Sequence, residues 1–146
     1  MPSLDTIIPR FKAADRSTRL ETLLDYSRKL PPLPERLETE KERGEHRVHE
    51  CQTPVFLWVE LVDGKVHIHA DVPRESPTVR GFVALLIKAL DGLPPAEVAS
   101  VPNDLLDQLQ LTETLGMMRT QGLTSILGRI KRSVADPALQ DASPGT

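Results

Sequence analysis

At 146 residues, with a formal charge of −3, 39% hydrophobic and 27% charged residues, the chain has the length and composition of one soluble globular domain, and its acidic balance argues against nucleic acid as a partner. A single cysteine excludes an internal disulfide and the multi-thiolate sites of structural zinc or iron–sulfur centres within the monomer. The start MPSLDTIIPRF lacks the pattern of a secretory signal and no run approaches the ~20 apolar residues that span a bilayer, so a cytoplasmic protein without membrane association is expected.

Residues 4–14 and 16–30 read as two short helices, with Ile7, Ile8 and Phe11 on one stripe and Leu20, Leu23, Leu24 and Ser27 on the other, although Pro9 argues against the first. The run LPPLPERL, residues 30–37, ends the helical pattern. The mixed-charge stretch 35–50 is expected to be a solvated connector. Residues 54–62 and 65–72 flank Asp63-Gly64, two residues that both tolerate φ > 0 and therefore favour a type I′ hairpin. Pairing Val62 with Lys65 puts Val55, Leu57, Val59 and Leu61 on the same face as Val66, Ile68, Ala70 and Val72, an aliphatic core face suited to a chain with only 3% aromatic residues. Phe56, Trp58 and Glu60 oppose Asp71, His69 and His67 on the other face, and residues 47–49 are expected to add a short third strand.

Ser76-Pro77 is a helix start, a side-chain cap followed by proline at the first helical position, and Val79, Phe82, Val83, Leu86 and Leu90 form the buried stripe. Gly81 inside that helix costs about 1 kcal/mol relative to alanine, which predicts compensation by close packing against another element. Gly92 and Pro94-Pro95 end the helix. Short helices follow at 95–99 and 103–109, then a long one carrying Leu123, Ile126, Leu127, Ile130 and Val134 and stopping at Asp136-Pro137. Residues 138–146 are expected to form a disordered tail after a domain of residues 1–137. An antiparallel sheet with helices before and after it points to one α+β domain, the sheet packed with flanking helices.

Cys51 lies outside any apolar pattern, between Glu50 and Gln52 and ahead of Thr53-Pro54, on what reads as a polar turn. Arg47 and His49 stand close in sequence, where they would favour the thiolate over a free-thiol pKa of about 8.5. Taken alone, these residues fit an inert cysteine, a structural one or an available nucleophile. The pairs His67/His69 and His46/His49 invite a metal reading, but an ordinary amphipathic sheet surface explains the first pair equally well and no metal is expected. A Cys-His hydrolase built on Cys51 and His49 would need an orienting third group and an oxyanion hole, neither of which is recognisable. Arg80 reads as a surface charge or a partner contact, and Arg119 as a solvated residue just ahead of the last helix.

RKLPPLPERL at 28–37, VHECQTPVFL at 48–57, DGKVHIHAD at 63–71 and VRGFVALLIKAL at 79–90 together resemble, in order and spacing, the SufE family of sulfur-acceptor proteins, which serve a cysteine desulfurase in iron–sulfur cluster assembly. The resemblance covers most of the chain. It implies an α+β sandwich similar to the IscU scaffold. It implies that Cys51 takes persulfide sulfur from a desulfurase carrying pyridoxal phosphate and relays it to a scaffold protein, as an accessory with a nucleophilic cysteine and no cofactor of its own. His49, Glu50, Gln52 and Arg80 are then candidate partner contacts, and Arg119 lies near the cysteine loop as an anion stabiliser or a loop positioner. The family's serine two residues after the cysteine is Thr53 here. Its Ser-Arg-Ser-Asn-Gly-Leu pattern becomes Met118-Arg119-Thr120-Gln121-Gly122-Leu123, keeping arginine, glycine and leucine. The rival readings are a non-catalytic adaptor that regulates a desulfurase by binding, with Cys51 incidental, and a thiol hydrolase.

Overall fold

The turn of the hairpin is set by Asp63 and Gly64, whose φ angles of 52° and 75° give both central residues the left-handed conformation of a type I′ turn. In this computed structural model, which describes residues 2–139 and 141, β1 (Phe56–Val62) and β2 (Lys65–Asp71) pair antiparallel, with Val62 opposite Lys65 and Phe56 opposite Asp71. That is the register expected from the sequence. Its inner face buries Leu57, Val66, Ile68 and Ala70, with Val59 and Leu61 packed at the margin. The expected third strand at 47–49 is reduced to a single antiparallel bridge between Arg47 and Phe56. The turn ending at His46, whose φ is 63°, and the turn at His49-Glu50 confine the extended run to two residues, too short for a ladder.

Both edges of the two-stranded sheet carry partners. Beside β2, the Val66 amide donates to the Leu93 carbonyl at 2.8 Å and its carbonyl accepts from Gly92 at 2.7 Å, while the Asp91 carboxylate accepts from the Ile68 amide at 2.9 Å. Beside β1, Leu61 bridges to Asp141, whose carboxylate also accepts from the turn amides of Asp63 and Gly64 at 2.9 and 2.7 Å. Among the described residues these partners cover part of each edge and so shield it from pairing with another strand. Of the expected tail, residues 140 and 142–146 lie outside the described residues.

The stretch 35–50, expected to be a solvated connector, is largely exposed but is ordered against the hairpin rather than free of it. It forms a 3₁₀ turn (Glu35–Leu37) and α3 (Glu38–Glu42), buries Leu37, and turns its charges onto the outer face of the hairpin. Arg36 donates to both carboxylate oxygens of Glu60 at 2.7 and 2.5 Å, and Lys41 pairs with Asp71 at 2.9 Å. His46 stacks on Trp58 with ring centroids 5.3 Å apart and meets Glu40 at 3.1 Å. Trp58 is therefore only 3% exposed, although it sits on the face read as surface. The indole is too large an apolar body to leave wet, and the strand carboxylates beside it attract the segment's cations.

The remaining helices are α1 (Pro2–Ala13), α2 (Arg16–Arg28), α4 (Pro77–Leu90), α5 (Pro95–Ala99), α6 (Leu105–Gln108), α7 (Leu111–Leu115) and α8 (Met117–Ala135). Pro9 is accommodated inside α1 on its exposed side. α4 is the central element: from Val79 to Leu90 every residue but Arg80 and Lys88 is buried, a wider surface than the expected stripe, because α2 packs on it as well as β2. Gly81 permits that contact. A Cβ built on it would lie 2.1 Å from the carbonyl oxygen of Leu23 in α2, so the compensation predicted for this glycine is present.

Ser76 precedes Pro77 at the start of α4 but does not cap it. Its hydroxyl lies instead 3.4 Å from that of Thr53, in the cysteine loop. α6 is shorter than the helix expected at 103–109, and α7 is an additional element. Gln110, with φ of 61°, and Gly116, with φ of 85°, turn the chain at the two ends of α7. α8 starts at Met117, which places Arg119 in its first turn rather than ahead of it. The expected residues Leu123, Ile126, Leu127 and Ile130 are buried along it, and it packs on α5 and β1. Among the described residues no helix is long and apolar enough to cross a membrane.

Candidate functional site: a sheltered cysteine

Residues 48–55 form a loop whose neck is closed by the Val48 amide donating to the Val55 carbonyl at 2.8 Å and the Leu57 amide to the His46 carbonyl at 3.0 Å. Inside the loop, the Cys51 amide donates to the Val48 carbonyl at 3.2 Å and the Val55 amide to the Thr53 carbonyl at 2.8 Å. These tight turns send neighbouring side chains to opposite sides. His49, Glu50 and Gln52 are exposed, while Cys51 is only 6% exposed and joins the aliphatic core. The sequence leaves open which way the sulfur points; here it turns inward, and only its flanking residues are presented on the polar turn.

α8 holds the loop from the other side. Gly122 faces the cysteine so closely that a Cβ built on it would lie 3.3 Å from Cys51 Sγ and 3.8 Å from both Cys51 Cα and Cβ. About two turns further along the helix, Arg129 donates through Nη1 to the Arg47 carbonyl at 2.7 Å, which fixes the strand of chain entering the neck. Neither residue was singled out as a site residue from the sequence. The retained Arg-x-x-Gly-Leu motif contains the signal for Gly122, because a glycine inside a helix needs a packing reason. For Arg129, which acts on a backbone carbonyl far off in the chain, the sequence carries none.

Arg119, one turn before Gly122 and on the same helix face, is exposed, with Nη1 3.5 Å from the Thr78 hydroxyl. Among the described residues no hydrogen bond joins its guanidinium to the cysteine sulfur. Met118, four residues before Gly122, is 80% exposed. Arg80 is half-buried and donates to the carbonyls of Ser27 at 2.9 Å and Val72 at 2.5 Å, so these donors tie α2 and the end of β2 to α4. The histidines face carboxylates: His46 meets Glu40 and His69 meets Glu60, both at 3.1 Å, and His67 meets Asp91 at 3.4 Å. His49 stays at the loop surface. Among the described residues no three His, Cys, Asp or Glu side chains converge as a metal site.

The molecule is a small α+β protein built around one cysteine, sheltered beneath a short loop at the junction of a hairpin and two helices. The SufE family profile, described as an Fe-S metabolism associated domain, matches residues 5–134, and the chain belongs to that family. It is 34% identical over 134 residues to a SufE-like protein of Mycobacterium tuberculosis, covering 91% of this chain and 92% of that one. Identity to the sulfur acceptor protein CsdE of Escherichia coli is 32% over 106 residues, covering 71% and 68% of the two chains. The solution structure of a hypothetical protein from Thermus thermophilus, 35% identical, matches with a TM-score of 0.78 over 92% of this chain and 94% of that one.

Proposed function

We propose that this protein is a sulfur acceptor of iron–sulfur metabolism, in which Cys51 receives sulfane sulfur from the persulfide of a pyridoxal-phosphate-dependent cysteine desulfurase and relays it to a scaffold protein. The observation that carries the reading is the placement of the lone thiol, buried against core side chains under a loop whose other side chains are exposed. A persulfide exchanges readily with any thiol that reaches it. A carrier needs the sulfur hidden between encounters and a short loop that can bring it out. Family membership supports the reading, as does the relative whose name is that of a sulfur acceptor.

The transfer is a thiolate exchange. Cys51 gives its proton to water and its sulfur attacks the outer sulfur of the desulfurase persulfide. The bond between that outer sulfur and the desulfurase cysteine breaks, its electron pair leaving on the desulfurase sulfur, so a Cys51 persulfide forms with no net oxidation. Relay to the scaffold repeats the step with Cys51 as the leaving group. His49, Glu50 and Gln52 are positioned to meet a partner that draws the loop outward. Arg119, exposed on the helix face that covers the cysteine, is available to stabilise the anion once the sulfur emerges. Arg80 serves as a brace for α4 in this account, since its donors turn inward.

Desulfurase stimulation separates a carrier from an adaptor. With a cognate desulfurase and cysteine, the wild-type chain accelerates turnover and Cys51→Ser does not. Full stimulation by Cys51→Ser would establish the adaptor instead.

A further inference from the structure

We propose that Gly122 is a positioning residue: its missing side chain is the socket in which the Cys51 thiol rests, and it sets how often that thiol is exposed. The consequence for sulfur exchange rests on the acceptor reading, whereas the socket itself does not.

α8 contains two internal glycines, Gly122 and Gly128, each costing about 1 kcal/mol relative to alanine. Neither has positive φ, so backbone conformation does not require them. Their surroundings differ. A Cβ on Gly128 would meet only the far end of the Arg132 side chain, at 3.1 Å, and that flexible tip can swing away. A Cβ on Gly122 would press on Cys51 Sγ at 3.3 Å, while Cα and Cβ of the cysteine, at 3.8 Å, would stand at ordinary contact distance. The sulfur must give by a few tenths of an ångström there, and the loop that carries it is the weaker side. α8 is anchored by buried Leu123 and Ile126 immediately after Gly122, whereas His49, Glu50 and Gln52 of the loop lie in solvent. The neck is held by Arg129 and by the Val48–Val55 bond, so displacement is confined to the segment between. Filling the socket therefore shifts the loop from a sheltered toward an exposed state without unfolding the domain.

The test is the rate at which iodoacetamide alkylates Cys51 in the isolated protein. A graded series, Gly122→Ala and Gly122→Val, is expected to react roughly threefold and tenfold or more faster than wild type, in proportion to the exposed population. Gly128→Ala keeps the wild-type rate. Low concentrations of urea leave the accelerated rates unchanged, because a local opening exposes little surface, whereas alkylation through global unfolding would climb steeply with urea. Flat rates across the series, an equal rise in Gly128→Ala, or a rise that follows urea would each overturn the proposal. Gly122→Ala, which gains helix propensity, keeps the test valid where the valine variant folds poorly. No desulfurase enters this assay. A graded alkylation series alongside a failure to form any persulfide would defeat the acceptor reading and leave the socket standing.

Discussion

Gly81 and Leu23 meet where two helices pack backbone to backbone, and neither side of that contact can swing away. A Cβ 2.1 Å from the Leu23 carbonyl oxygen forces α2 and α4 apart, and overpacking of this kind costs about 2–3 kcal/mol. Gly81→Ala should lower the urea midpoint accordingly with an unchanged slope; a stability at or above wild type would mean the helices pack differently. Arg119 makes a different prediction. Its guanidinium is exposed and its hydrogen bond to Thr78, at 3.5 Å, is long, so Arg119→Lys should fold normally yet slow single-turnover sulfur transfer to Cys51. A raised apparent thiol pKa in the pH–rate profile assigns it to anion stabilisation, and a lower rate at unchanged pKa assigns it to placing the loop, since lysine reproduces charge but not the planar fork. Transfer at the wild-type rate at every pH would remove Arg119 from the mechanism. At this scale the sequence displayed the cysteine and the helical glycines, because one thiol and a glycine inside a helix are local anomalies. It did not display which way the thiol points, which depends on the turn bonds of the loop and on Gly122, about seventy residues away.

The hairpin was legible down to its register because a two-residue Asp-Gly turn and a period-two apolar pattern are both local. The charged segment before it was not, since its partners are strand side chains 12 to 30 residues further on. Glu60 measures how firmly that segment is held. Hydrogen bonds from Arg36 chiefly hold its carboxyl below the usual carboxylate range, against the opposing effect of burial, with His69 adding to them. A depressed carboxylate stabilises the fold above its unfolded pKa, about 4.3, and loses that contribution as pH falls through its lower folded value. Glu60→Gln should therefore be less stable than wild type at neutral pH by about 0.5–1 kcal/mol, limited by solvent screening. The difference should shrink once pH falls below about 4. A difference independent of pH would show that packing, not the ion pair, holds the segment. The neck of the cysteine loop has its own test. Arg129→Ala removes the donor on the Arg47 carbonyl and should speed alkylation of Cys51 several-fold; an unchanged rate would show that the Val48–Val55 and Leu57–His46 bonds suffice.

Across the whole molecule, a two-stranded sheet is too small to bury a core alone. Its inner face is completed by α4 and α8, its outer face by the segment around α3, and its edges by the loop after α4 and by Asp141. The cysteine loop sits where the hairpin, the start of α4 and α8 come together, so the thiol is held by elements from distant parts of the chain while its loop neighbours remain in water. The α+β class was readable because helices and hairpin carry strong periodic patterns. The sheltering of the thiol was not, because it is a property of their assembly. The central claim is that this sheltered sulfur accepts another sulfur atom. Intact-mass measurement after incubation with a cognate desulfurase and cysteine tests it most directly: the account predicts an adduct of a single sulfur atom, removed by reductant and absent from Cys51→Ser. An active desulfurase that leaves the wild-type mass unchanged, or an adduct that persists in Cys51→Ser, would contradict it.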